Sequence, residues 1–370
     1  LAESNQLFCA KPFKWFEVSR GKVEGEVFLC CPTWLDTPVG NLDTQSGEEI
    51  WNSDIAQDIR RSILDGSFEY CNRVRCPFLH TVTGPVQPLN EVIDPDLVEV
   101  IEHGLTKLPY GPREINCSYD RSCNLSCPTC RPHIIMETKN KGRILNIQRK
   151  INDELLYDAH LLYITGSGDP FGSPYFRKWL QTMKRSDMPK LNLIRLHTNA
   201  MLWNPRMWDT IPPEIQSLVK QVDISIDAAT PTTYVINRRG GDFDVLLKNL
   251  AFISSLRKNG PIEWLGISMV VQENNFNEMA DFINLGKRLN VDTVYFQQLT
   301  NWGTFSDKEF AARAVHLPTH PKHRQAVALL QNNIFDDPLV HLGNLSPLRN
   351  GSSVAAPPKT KNLLHLLFGA

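Results

Sequence analysis

A chain of 370 residues with 42% hydrophobic and 21% charged side chains has room for one large enzyme domain and a smaller one. Its 39 Lys and Arg against 40 Asp and Glu give a formal net charge of −1, which argues against a protein that grips nucleic acid by its phosphates. No apolar run reaches the roughly 20 residues that span a bilayer, so no membrane partner is expected.

The opening Leu1-Ala-Glu-Ser-Asn-Gln has neither the charged nor the apolar region of a signal peptide, and a reducing cytoplasm is the expected setting. Residues 1–80 read as a small cysteine-bearing α+β domain. Trp15-Phe-Glu-Val and Glu26-Val-Phe-Leu are short strand-like runs flanking the Gly-containing stretch 20–25. Residues 54–64 have helical apolar spacing, an acidic start and a stop at Gly66. Residues 81–112, rich in Pro and Gly, read as a linker with one short helix near 97–103.

From 113 to 300, strand candidates at 114–119, 161–165, 193–197, 222–226, 267–271 and 293–297 alternate with helix candidates at 144–159, 175–183, 206–219, 243–257 and 276–289. Such alternation predicts a parallel α/β sheet, and six strands suit a partial (β/α)6 barrel with its chemistry at the C-terminal strand ends. Residues 301–370 form a C-terminal extension. A helix is expected over 320–332, a flexible linker over 350–360, and an apolar stretch over 362–368 that docks back or pairs with a partner.

The nine cysteines fall at 9, 30, 31, 71, 76, 117, 123, 127 and 130, with none afterwards. Two groups inside a cytosolic-looking enzyme point to metal sites rather than a disulfide scaffold. Cys123, Cys127 and Cys130 follow the first barrel strand with the spacing Cys-x3-Cys-x2-Cys. Soft thiolates select iron–sulfur clusters, Zn or Cu(I). Three of them on a cubane leave its fourth iron open.

This loop, with the segments that end the later strands, resembles the radical S-adenosylmethionine (SAM) superfamily over about 113–300. The resemblance implies a [4Fe–4S] cluster on the three cysteines, SAM on the open iron, and reductive cleavage to a 5′-deoxyadenosyl radical. It places Ser167, Gly168 and Asp169 of Gly166-Ser-Gly-Asp-Pro170 at the SAM amino group and Asn199 of Thr198-Asn199 at the third strand end. Ser225 and Asp227 end the fourth strand, and Arg238, or its neighbour Arg239, meets the SAM carboxylate. Gln272 and Asn275 lie near the ribose and adenine, and Gln297 ends the sixth strand beside adenine. Thr129 stands where relatives place a bulkier residue, and Asp169 where they place Glu. A structural zinc site, with Cys117 as fourth ligand, is the competing reading of the loop; it leaves the strand-end segments unexplained.

Cys9, Gly25 and Cys30, followed by Gly40-Asn-Leu42 and Glu49-Ile-Trp-Asn52, resemble the opening of the SPASM and twitch auxiliary-cluster domains. That resemblance implies a second [4Fe–4S] cluster on Cys9, Cys30, Cys71 and Cys76, with Cys31 able to replace Cys30, and zinc as the alternative metal. Here the domain precedes the barrel, whereas in most relatives it follows. Four thiolates leave no open iron, which favours electron transfer over SAM binding.

Three further features stand apart. Cys117 shares a strand face with Ile115 and Tyr119, and is either a hydrogen-atom donor lining the barrel or a small buried hydrophobe. His316, His320 and His323 are interrupted by prolines and read as a solvated surface or helix start rather than a metal site. Phe13, Trp15 and Phe16 read as small-domain core. The implied function is hydrogen-atom abstraction from a peptide or protein, with crosslinking, oxidation or epimerisation as the outcome. A flavodoxin- or ferredoxin-type reductant would supply the electron. The alternatives are a radical dehydrogenase or epimerase of a sugar, aminocyclitol or other small molecule, and a non-catalytic iron–sulfur or zinc interaction protein.

Overall fold

The structure, a computed structural model, describes residues 6–19, 23–164 and 167–350. Residues 1–5, 20–22, Thr165, Gly166 and 351–370 lie outside that description. With them go most of the expected linker at 350–360, the apolar stretch 362–368, and parts of the opening hexapeptide and of the stretch 20–25. The described chain divides into two compact units. The first holds residues up to Asp120 with Thr138–Ile164 and Lys184–Leu193; the second holds Arg121–Glu137, residues up to Met183 after Ile164, and those from Ile194 on. Among the described residues, no helix is long and apolar enough to cross a membrane.

In the first unit, β1 (Leu7–Cys9) pairs antiparallel with a late strand, Val86–Pro88. The other strands are β2 (Trp15–Val18), β3 (Glu26–Phe28) and β4 (Gly40–Asn41), followed by β5, which is Val86–Pro88, β6 (Glu114–Cys117) and β7 (Leu161–Ile164). They run in the order β4-β3-β2-β6-β7 apart from β1 and β5. β2 is antiparallel to β3 but parallel to β6, and β6 is parallel to β7. Period-two alternation then sorts the side chains. Phe16, Val18, Ile115, Cys117, Leu162 and Ile164 share one face and are buried. Phe16 packs on Trp51, whose helix (Gly47–Trp51) starts at a capping box made by Ser46 and Glu49. Cys117 therefore sits on the buried, apolar side of the sheet, fully covered, and its thiol is pushed up by burial. That is the small-hydrophobe reading. The opposite face carries Trp15, Glu17, Glu114, Asn116 and Tyr163.

The expected helix over 54–64 is Asp54–Leu64, capped by Ser53. Its Arg60 is fully buried, which is tolerable because the guanidinium donates to the carbonyls of Pro12 and Thr106 and to Asn52 Oδ1, and lies 4.3 Å from the Trp51 ring. Burial pushes its pKa down to about 9. Arg60 thus ties the segment after Cys9 to the helix. The expected linker contains the helix Pro95–His103, capped by Asp94 and ended by Gly104.

In the second unit, β8 (Leu193–Thr198, of which all but Leu193 belong to this unit), β9 (Val219–Ser225), β10 (Trp264–Val271), β11 (Thr293–Gln298) and the short β12 (Val340–His341) are neighbours in that order, all parallel. Their register puts Ile194, Leu196, Val222, Ile224, Leu265, Ile267, Met269, Val294 and Phe296 on one face, each almost fully buried. The other face is polar: Arg195 pairs with Asp223 at 2.7 Å, and His197 Nε2 with Ser225 Oγ at 2.7 Å. Burial lowers the pKa of His197.

The helix expected over 206–219 is two short ones, Pro205–Trp208 and Pro213–Gln216, because Pro212 and Pro213 cannot continue the first. The one expected over 144–159 is α-helical only over Lys141–Lys150 and ends in a π turn, Ile151–Leu155. The one expected over 320–332 begins at His323, after His320 Nδ1 accepts the Lys322 N–H.

Candidate functional site

Parallel strands bring their C-terminal ends to one edge, and in the second unit the cysteine loop lies with those ends. Cys123 and Cys127 are buried and Cys130 partly so. Each thiol has N–H donors. Leu125 N and Asn199 Nδ2 stand 3.5 and 3.6 Å from Cys123 Sγ. Arg238 Nη1 is 3.7 Å from Cys127 Sγ, and Arg131 Nε and Nη2 are 3.4 and 3.3 Å from Cys130 Sγ. Burial pushes the Cys123 thiol up to about 12, with the Asp169 charge adding and Arg131 opposing. Cys127 is raised by burial and pulled back by Arg238. Thiols so buried ionise only against a strong counter-charge, which an iron core would supply.

Asp169 is the hub of the loop. Its Oδ1 accepts the Phe171 and Gly172 N–H groups at 3.0 and 2.8 Å; its Oδ2 accepts Thr198 Oγ1 at 2.8 Å and Asn199 N at 2.7 Å. Two bonds on each oxygen fill a carboxylate's lone pairs. Asp169 therefore spends its charge on fixing the end of β8 against the loop, and a ligand amine could reach it only by displacing one of these donors. Gly172 is required beside it, since a Cβ there would stand 2.7 Å from Asn124 Oδ1.

Asp227 follows β9 in the left-handed region, φ 61°, and is buried. Its Oδ1 accepts Val270 N at 2.7 Å and its Oδ2 pairs with Arg238 Nη2 at 2.8 Å. Burial raises the Asp227 pKa against the pull of Arg238. Arg239 turns instead to the cysteine loop, donating to Ser126 Oγ at 3.1 Å and to the Pro132 carbonyl at 2.6 Å. Of the two, Arg238 is the one left with a buried nitrogen, Nε, that has no hydrogen-bond partner.

The other expected positions divide in the same way. Asn275 is consumed internally, its Nδ2 donating to the carbonyls of Asp227 and Val270 and its Oδ1 accepting Gln272 N. Gln272 is buried with both amide atoms unpartnered. Ser225 is taken by His197. Gln297 lies on the polar sheet face, in register with Val270. The Ser167 carbonyl accepts from Arg131, Gly168 follows it in the chain, and Gly166 falls outside the described residues. Arg131, which the sequence reading passed over, is 3% exposed and also donates to the Arg121 carbonyl at 2.5 Å. Only its place directly after Cys130 hinted at this. A SAM-bearing cluster fits the donor set: three thiols, and the orphaned polar atoms of Arg238 and Gln272 awaiting a polar ligand.

The first unit holds a second cysteine group. Cys9, Cys30, Cys71 and Cys76 line one cavity with Trp34, Phe68 and Phe78; Cys31 does not line it. Burial pushes Cys9 up to about 12 and Cys71 to about 11, and neighbouring thiols add to both. Cys31 is raised to about 11 by burial, with the charge of Glu17 adding to it. Gly25 turns the chain into β3 at φ +88°, where a Cβ would come 2.8 Å from Asn41 Oδ1, so glycine at position 25 has a steric cause. Four thiols in an apolar wall suit an iron–sulfur cluster.

Among the described residues, no three His, Cys, Asp or Glu side chains converge as a bare metal ion would need. A cubane differs in holding each thiolate on a different iron. His316, His320 and His323 serve the local chain: His320 Nε2 pairs with the Ala312 carbonyl, His323 Nδ1 with that of Val315, and burial pushes His316 down to about 4.

No curated protein matches the chain by sequence. Among solved structures it is similar to SuiB of Streptococcus suis bound to the precursor peptide SuiA, at 14% identity and TM-score 0.41, over 82% of this chain and 66% of that one. It is similar to anSMEcpe with bound AdoMet and Kp18Cys peptide, at 18% identity and TM-score 0.39, over 64% and 60%. A third is the radical S-adenosylmethionine methyltransferase TsrM from Kitasatospora setae, at 10% identity and TM-score 0.36, over 48% and 35%. The chain thus spans from about a third to two thirds of the length of these proteins. Residues 9–77, which carry Cys9, Cys30, Cys71 and Cys76, match the SPASM iron–sulfur cluster-binding domain.

Proposed function

We propose that this chain is a radical SAM enzyme that abstracts a hydrogen atom from a peptide or protein substrate. The observation that carries the reading is the second unit's loop, where two buried thiols and a partly buried third, each with N–H donors, lie beside parallel strand ends that keep Arg238 Nε and both amide atoms of Gln272 without protein partners. When bound there, a [4Fe–4S] cluster with SAM supplies the 5′-deoxyadenosyl radical. The chain's own residues bind and orient. Cys123, Cys127 and Cys130 hold the iron. Arg238 is preorganised by Asp227 to offer its remaining N–H to a carboxylate, and Gln272 offers a donor and an acceptor to a ribose or base. Asp169, through Thr198 and Asn199, fixes the end of β8 so that these groups stay in place. Cys9, Cys30, Cys71 and Cys76 would hold a second, fully ligated cluster suited to electron transfer.

The peptide preference is what the resemblance to radical SAM enzymes with auxiliary-cluster domains implies, and the match of residues 9–77 to the SPASM domain supports that resemblance. Anaerobically reconstituted chain, given dithionite and SAM, should release 5′-deoxyadenosine, and replacing Cys123, Cys127 and Cys130 with Ala should abolish that release while the second cluster's iron remains. Release by the triple variant would end the assignment. A deuterated precursor peptide should pass deuterium into the 5′-deoxyadenosine; transfer from a sugar or aminocyclitol instead would move the substrate to the small-molecule class.

A further inference from the structure

Arg131 carries a full charge into the wall of the three-cysteine site. Its side chain is fixed by the carbonyls of Arg121 and Ser167, and its Nε and Nη2 both point at Cys130 Sγ. Its hydrogen-bond partners are thus a thiol and two neutral carbonyls. Arg238, the other guanidinium at the site, differs: it touches Cys127 Sγ but is ion-paired to the buried Asp227 at 2.8 Å. One side of the loop therefore meets a bare cation and the other a neutral pair.

We propose that Arg131 raises the reduction potential of the cluster held by Cys123, Cys127 and Cys130, and that Asp227 keeps Arg238 from raising it further. The inference rests on the reading of these cysteines as cluster ligands. Reduction takes one electron from an external low-potential reductant, adds one negative charge to the cluster, and makes or breaks no bond. A buried guanidinium beside a ligating sulfur stabilises the more negative state more than the less negative one. Its two N–H donors on the same sulfur act in the same direction, because they draw charge from the thiolate. The fork geometry matters as well. Two carbonyls hold the plane of Arg131, so the charge cannot swing to solvent, whereas a lysine would reach one acceptor.

The test is a redox titration of the full, reconstituted chain followed by electron paramagnetic resonance, with the second cluster as internal reference. Arg131→Gln should move the midpoint of the three-cysteine cluster to a more negative potential and leave the second cluster's midpoint where it was. Asp227→Asn, which keeps an oxygen for Val270 N but removes the charge, should move it to a less negative potential. An Arg131→Gln variant with full iron and the original midpoint would overturn the proposal. If that variant does not load iron, Asp227→Asn decides: an unchanged or more negative midpoint overturns it. A wild-type signal that does not respond to added SAM would instead refute the SAM-enzyme reading and leave the midpoint comparison intact.

Discussion

Replacing Asp169 with Asn tests whether this carboxylate organises the site or waits for a ligand. The isosteric amide keeps one acceptor oxygen and turns its NH2 toward two of the four donors that Asp169 now satisfies. Thr198 can rotate its hydroxyl and accept, but the backbone N–H groups of Phe171, Gly172 and Asn199 cannot. At least one buried N–H is left facing another donor, and the remaining bonds lose their charge assistance. At about 1–3 kcal/mol for a stranded buried donor and about 1 kcal/mol for each of two weakened bonds, the local cost is about 4 kcal/mol. Since about 1.4 kcal/mol is a factor of ten, amide hydrogen exchange over 169–176 and 198–203 should speed up by about a thousandfold. Exchange read by mass spectrometry on the reconstituted chain, without SAM, measures this directly. Unchanged protection together with a large loss of SAM affinity would refute the reasoning, because it would show that the carboxylate faces the ligand rather than the loop.

Two further outcomes follow from the first unit. Cys31→Ala should retain the iron of the second cluster and Cys30→Ala should lose it, since Cys30 lines the four-thiol cavity and Cys31 does not; iron analysis of each variant decides, and the opposite pattern would reverse the assignment. Glu17, 7% exposed, has its pKa pushed up to about 7 from 4.5, chiefly by burial and against hydrogen bonds from Asn116 and Trp15. An acid with a raised folded pKa costs nothing while both states are protonated, and then destabilises as pH climbs from the unfolded value to the folded one. The penalty at pH 8 is about 3 kcal/mol, so Glu17→Gln should raise the urea midpoint at pH 8 and leave it unchanged at pH 4; an equal gain at both would exclude ionisation as the cause.

What the sequence made legible was whatever a short stretch of chain decides for itself. The alternating runs at 193–197, 267–271 and 293–297 are strands because their apolar residues repeat in twos, and the Cys-x3-Cys-x2-Cys loop is visible from spacing alone. The break at Pro212 and Pro213 is also a local signal, but the apolar periodicity over 206–219 led to the expectation of one continuous helix. What stayed hidden depended on partners far along the chain. β2 joins β6 in parallel across about a hundred residues, so the small domain's strand continues the sheet of the expected barrel's first strand, and nothing local in Trp15–Val18 announces that choice. Asp169 looked like a ligand contact because its segment resembles one. That it is saturated follows only from Thr198 and Asn199 arriving from β8. Arg131 belongs to no spacing pattern at all, and becomes informative once the carbonyls of Arg121 and Ser167 fix its fork on Cys130. Motifs thus identify which groups can bind a cofactor, while the polar bonds among distant residues decide which of those groups are still unspent, and the unspent ones here are Arg238 Nε and the Gln272 amide.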